Sequence, residues 1–92
     1  MRTIAVAVDP GYTHRDDVGD QKSLLTYRDG SVRFQHFCDR GARGLIVCAP
    51  RLMLGQGHTL TRDVEGRPTV RASILCDDCG THGWVTDGRW HT

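Results

Sequence analysis

Ser23-Leu24-Leu25-Thr26-Tyr27-Arg28-Asp29-Gly30-Ser31-Val32-Arg33-Phe34-Gln35-His36-Phe37 decides the fold class. Two β-prone runs flank an Asp-Gly pair, which supplies the positive φ angles of a tight hairpin turn. Beyond the turn, strand alternation puts Val32, Phe34 and His36 on one face and Arg33, Gln35 and Phe37 on the other. The same punctuation recurs downstream. Asp87-Gly88 stands between Trp84-Val85-Thr86 and Arg89-Trp90-His91 and sets two tryptophans on neighbouring strands. Glu65-Gly66 and Pro68 separate residues 58–64 from 69–75, where Leu60, Val64, Val70, Ile74 and Leu75 are the apolar positions. Three hairpins then cover most of residues 23–91.

Two further apolar runs read as strands: Leu45-Ile46-Val47-Cys48, bounded by Gly44 and Pro50, and Ile4-Ala5-Val6-Ala7-Val8, which ends at Asp9-Pro10. No segment keeps the 3.6-residue apolar period over three turns, although residues 18–25 have room for one helical turn. Residues 9–22, with Pro10, Gly11, Gly19 and four aspartates, read as a loop. The expected fold is mostly β, a small single domain of antiparallel hairpins over residues 1–92. Within it, 1–22 form an N-terminal strand and loop, and 23–92 a hairpin core.

A chain of 92 residues has little core to work with: 38% of it is hydrophobic, 7% aromatic, and eleven residues are glycine. Small domains of this kind often add a covalent or metal staple. Twelve basic against eleven acidic residues leave a formal charge of +1, without the clustered Lys and Arg of a nucleic-acid binder. The 4–8 run is too short for a signal-peptide core or a membrane span, so the expected location is the cytoplasm, or the host cytoplasm for a phage-encoded chain. Thiols stay reduced there, which favours metal ligation over disulfides for Cys38, Cys48, Cys76 and Cys79.

Cys76-Asp77-Asp78-Cys79 follows a predicted strand, with Gly80 and then His82 behind it. This spacing lets two thiolates converge on one ion from a tight turn. Cys38, at the end of the strand after Asp29-Gly30, is the natural third ligand. Cys38, Cys76, Cys79 and His82 then form a closed tetrahedral zinc site of three thiolates and one imidazole. Cys48 and, after it, His36 are the alternatives for the fourth position. A redox role for the C-x-x-C is the competing reading, but redox pairs open a helix and none is predicted after Cys79. His14, His58 and His91 read as solvated or hydrogen-bonded histidines, and both tryptophans as packing residues.

From Phe37 to Trp90 the chain resembles an uncharacterised family of small cysteine/histidine metal-binding proteins of bacteria and actinobacterial phages. That family's pattern runs F-x-C-P-C-G-C, P-T-L-x-P-S-I, C-x-x-H-F-W-I and D-G-x-V-x-W. Phe37-Cys38, the segment Pro68-Thr69-Val70-Arg71-Ala72-Ser73-Ile74, residues 79–85 and Asp87-Gly88-Arg89-Trp90 carry the resemblance. Arg40 and Ala42 replace family cysteines, and Cys76 is an addition. The resemblance implies a metal-binding β domain with no assigned activity.

The closed ligand set and balanced charge point to a non-enzymatic, zinc-stabilised interaction module, a phage accessory protein that binds a phage or host protein. Exposed strand edges leave a homodimer open. A small metalloenzyme is the alternative, with water on the metal and Asp39, Asp77 or Asp78 as general base. A nucleic-acid-binding zinc ribbon using Arg33, Arg40, Arg43, Arg51 and Arg71 is the weakest reading, given the net charge.

Overall fold

The computed structural model describes residues 11–39, 45–77 and 79–92. The expected strand at 4–8, Arg40, Arg43 and Asp78 lie outside these. Every regular element described is a strand: β1 (His14–Gly19), β2 (Lys22–Thr26), β3 (Val32–Asp39), β4 (Leu45–Cys48), β5 (Thr59–Arg62), β6 (Pro68–Leu75), β7 (His82–Thr86) and β8 (Arg89–His91). They form two four-stranded antiparallel meanders, β1-β2-β3-β4 and β5-β6-β7-β8, so each strand pairs with its neighbours in sequence. No described helix is long and apolar enough to cross a membrane.

The three expected hairpins are present, with differences in their turns. Thr86 pairs with Arg89 across a two-residue turn in which Asp87 (φ 50°) and Gly88 (φ 82°) are both left-handed, the geometry that an Asp-Gly pair favours. The Asp29-Gly30 turn is wider. Only Gly30 has positive φ; its amide donates to Tyr27 O, and the Tyr27 amide to Ser31 O, giving a three-residue loop that ends in a left-handed glycine. Asp63 organises the third turn, its carboxylate accepting from the backbone amides of Glu65 and Arg67.

Residues 14–19, expected within a loop, instead form β1, and 18–25 hold no helical turn. The β1–β2 turn is Asp20-Gln21, both residues left-handed at φ 54° and 58°. Without a glycine at either position, and with Asp16 and Asp17 depleted-type residues in the strand, the hairpin was hidden from turn and propensity signals.

The two meanders bury their facing sides against each other. Val18, Leu24, Val32 and Phe34 from the first sheet, Leu52 from the connection, and Val70, Ile74 and Val85 from the second form the core, with Leu54, Leu60 and Trp90 packed on it. At its centre the Phe34 ring stacks on Trp90 at 5.1 Å and on His36 at 4.9 Å. On one flank Arg62 of β5 reaches Asp16 of β1 with two guanidinium nitrogens at 3.1 and 2.9 Å, tying one sheet to the other.

Candidate metal centre and outward sheet face

The alternation of β3 builds the site. Val32, Phe34, His36 and Cys38 all point inward and are buried, so the core face of the strand passes without a break from hydrocarbon to ligand chemistry. From the other sheet, β6 delivers Cys76 just beyond its end. The chain then folds back: the Gly80 amide donates to Cys76 O at 2.8 Å, and the Cys76 amide to Thr81 O at 2.8 Å. Gly80 takes φ 77°, which is why a glycine stands there. This tight turn brings Cys79 back beside Cys76.

His36, Cys38, Cys76 and Cys79 place their donor atoms within 4.8 Å of one another, an arrangement that could hold a metal ion. Cys38 Sγ lies 3.8 Å from Cys76 Sγ, and Cys79 Sγ lies 3.6 Å from His36 Nε2. All four cysteines are free thiols. His36 Nδ1 is 3.4 Å from Phe34 O; a carbonyl only accepts, so the proton belongs on Nδ1 and the Nε2 lone pair faces the sulfurs. Burial opposes ionisation of Cys79, but hydrogen bonds from the Thr81 hydroxyl and backbone, with smaller contributions from the neighbouring Cys38 and His36 side chains, outweigh it and bring the thiol down to about 6.

Three of the four residues expected as ligands, Cys38, Cys76 and Cys79, are thus brought together, with His36 rather than His82 in the group. His82 begins β7 as an exposed residue, its ring tilted against Trp84 at 5.3 Å on the outer side of the second sheet. Alternation explains the difference. His82 pairs with Leu75, which points outward, one residue before inward-pointing Cys76. His36 takes its place in the cluster. Cys48 is directly across from His36 in the β3–β4 ladder and outside the group of four.

The outward face of the second sheet carries its own chemistry. Leu75 (57% exposed) and Trp84 (39% exposed) lie on it with His82, and the Trp84 ring stacks on His91 at 5.9 Å. Thr86 Oγ1 is 2.8 Å from His91 Nε2. Ser73, two residues before Leu75, is half-buried and lies where the β6–β7 register shifts.

The family model for the bacterial ubiquitination-like system serine protease (BubE) matches residues 11–92. The chain belongs to this family. No curated protein and no solved structure matches it. Membership in BubE bears out the expectation of a small bacterial family and overturns the non-enzymatic interaction module, because the family is described as a protease.

A serine protease needs a serine whose hydroxyl is available, and this chain has three serines. Ser23 is 3% exposed and its hydroxyl donates to Asp17 Oδ1 at 2.7 Å. Ser31 Oγ donates to Asp29 Oδ1 at 2.6 Å within a turn. The Ser73 hydroxyl makes no hydrogen bond among the described residues, and the Ser73 carbonyl lies 3.0 Å from His58 Nε2. The sequence reading named His58 only as a solvated or hydrogen-bonded histidine, which it is, and Ser73 only within the Pro68–Ile74 segment, and gave neither a role in the chemistry. Their signals were faint: Ser73 is a hydroxyl between Val70 and Leu75, and His58 directly follows Gly55-Gln56-Gly57.

Proposed function

We propose that this chain is the protease its family name describes, with Ser73 as nucleophile and His82, on the outward face of the second sheet, as general base. The observation that carries the reading is the nearness of Ser73, along β6, to the residue paired with His82. Leu75 is directly opposite His82 in the β6–β7 ladder and Ser73 comes two residues before it, at the stretch where the register shifts, so only a short gap separates the hydroxyl from His82. Side chains span that gap, and catalytic hydrogen bonds commonly tighten only when substrate binds. In the proposed step the Ser73 hydroxyl adds to a peptide or isopeptide carbonyl while its proton passes to His82. His82 then returns the proton to the leaving amine, and water hydrolyses the acyl-serine.

The family's setting in a ubiquitination-like system supports a substrate of the ubiquitin-like class, cut at or beyond its C-terminal tail. Leu75 and Trp84 offer apolar surface for that protein beside Ser73.

We further propose that the ion held by His36, Cys38, Cys76 and Cys79 is zinc. Three thiols and an imidazole with its lone pair directed inward fit a closed tetrahedral zinc site. Such an ion would serve as a staple: the turn it closes lies between Leu75 and His82, the pair that sets the Ser73–His82 register.

The test uses the full chain and a fluorophosphonate, which forms a bond from Ser Oγ to phosphorus with loss of fluoride. Peptide mapping should place the phosphonate on Ser73. Ser73→Ala should abolish labelling, and His82→Ala should slow it by about 100-fold or more. Labelling elsewhere, or a Ser73→Ala chain that still cleaves a ubiquitin-like fusion, would refute the assignment.

A further inference from the structure

His58 holds an unusual position. Two backbone bonds fix it: its amide donates to Met53 O at 3.2 Å, and its carbonyl accepts from the Gly55 amide at 2.8 Å. Gly55 (φ 81°) and Gly57 (φ 138°) allow the loop that closes this way. The ring is thereby turned toward β6, where Nε2 lies 3.0 Å from the carbonyl oxygen of Ser73. Since that oxygen accepts, Nε2–H is the donor. Nδ1 is then an acceptor, and among the described residues it is buried without a partner. A buried ring nitrogen left unpaired is costly, and its retention calls for an explanation.

β6 needs help at this point. The β5–β6 ladder ends at Thr59↔Arg71, and the β6–β7 register slips between Val70 and Ile74. Ser73 falls in the slipped stretch, past the last β5 partner. Irregularities of this kind re-aim side chains and recur beside active sites. The His58 ring substitutes for the missing strand amide.

We propose that His58 is a positioning residue for Ser73: by holding the Ser73 carbonyl it fixes the backbone of the slipped strand and aims the hydroxyl at His82. This rests on Ser73 being the nucleophile. His58 touches no reacting atom, so its effect belongs in the rate of the chemical step rather than in probe affinity.

The experiment measures the first-order rate and half-saturating concentration for fluorophosphonate labelling of the full chain, with thermal unfolding and bound metal followed in parallel. His58→Phe keeps a ring and removes the donor; His58→Gln keeps an N–H donor on a side chain of similar reach. The expected result is a fall of about tenfold to a hundredfold in the labelling rate for His58→Phe, with half-saturation unchanged. His58→Gln should recover most of that rate. Should His58→Phe fail to fold, His58→Leu takes its place as the donor-free variant. Equal rates in wild type and the donor-free variant, or equal losses in that variant and His58→Gln, overturn the inference. Absence of label on Ser73 in the wild type overturns the nucleophile assignment, and this inference with it.

Discussion

His36 and His82 take different places, although the sequence reading offered both for the same fourth ligand position, His82 ahead of His36. His36 extends the inward row Val32, Phe34, Cys38 and meets three sulfurs; His82 stands outward against Trp84. His36→Ala should therefore weaken metal binding by more than about 100-fold, beyond what loss of an outer-sphere partner costs, whereas His82→Ala should keep its metal. Elemental analysis after dialysis distinguishes the two, and equal metal content in both variants would contradict the assignment. Gly83 shows a second constraint at this scale. A Cβ there would lie 2.5 Å from both His91 O and Trp90 Cζ2, so the glycine is what lets Trp90 lie across β7 and reach Phe34. Gly83→Ala should cost about 1–3 kcal/mol, measured by urea unfolding.

At the scale of elements, the turns set the registers, and each register decides which side chains meet. Asp87-Gly88 fixes Thr86 opposite Arg89 and Val85 opposite Trp90. The Asp87 amide also donates to Thr69 Oγ1 at 2.9 Å, and the Gly88 amide to Pro68 O at 2.7 Å, so the turn is docked on β6. At φ 82°, with Arg67 Cβ 3.3 Å from an added Cβ, Gly88→Ala should destabilise by about 1 kcal/mol. The urea midpoint should fall with an unchanged slope, since the surface exposed on unfolding is the same. The Cys76–Thr81 turn does the equivalent work between β6 and β7. With zinc bound there, chelation should melt this turn and abolish fluorophosphonate labelling at Ser73. Labelling that survives full metal removal would separate the two sites.

Across the whole molecule, the sheets are joined by the shared core, by the cluster, and by the Asp16–Arg62 pair. The Asp16 side chain is 13% exposed, and burial works against its charge. Hydrogen bonds from Arg62 and His14 outweigh that and hold the carboxyl below its ordinary value of 3.8. A carboxyl lowered in the folded state adds stability above its ordinary value, and that stability is lost as pH falls through the lowered one. Asp16→Asn should therefore cost about 1 kcal/mol at pH 7, with the gap from wild type closing below about pH 4. A gap unchanged down to pH 2 would show that the pair contributes no charge-dependent stability.

The sequence by itself determined the strand-rich fold, the hairpins at Asp29-Gly30, Glu65-Gly66 and Asp87-Gly88, and the meeting of Cys38, Cys76 and Cys79. The fold and hairpins rest on local information, turn chemistry and period-two alternation; Cys76 and Cys79 are three residues apart, whereas Cys38 was placed with them from its position at the end of a strand. The sequence also determined which side of β3 faces inward, so His36 was already in line with Cys38. The β1 strand was hidden because Asp20-Gln21 turns without glycine. The choice of His36 over His82 was decided by the tertiary structure. Both histidines lie near cysteines along the chain, and the ladder pairing of Leu75 with His82 determines which ring faces the sulfurs. The neighbourhood of Ser73, His58 and His82 likewise needs three strands in register, and a slip in β6 has no signature in a single sequence. Long-range pairing carries that information, because a side chain's face is local while its neighbour across the sheet is not.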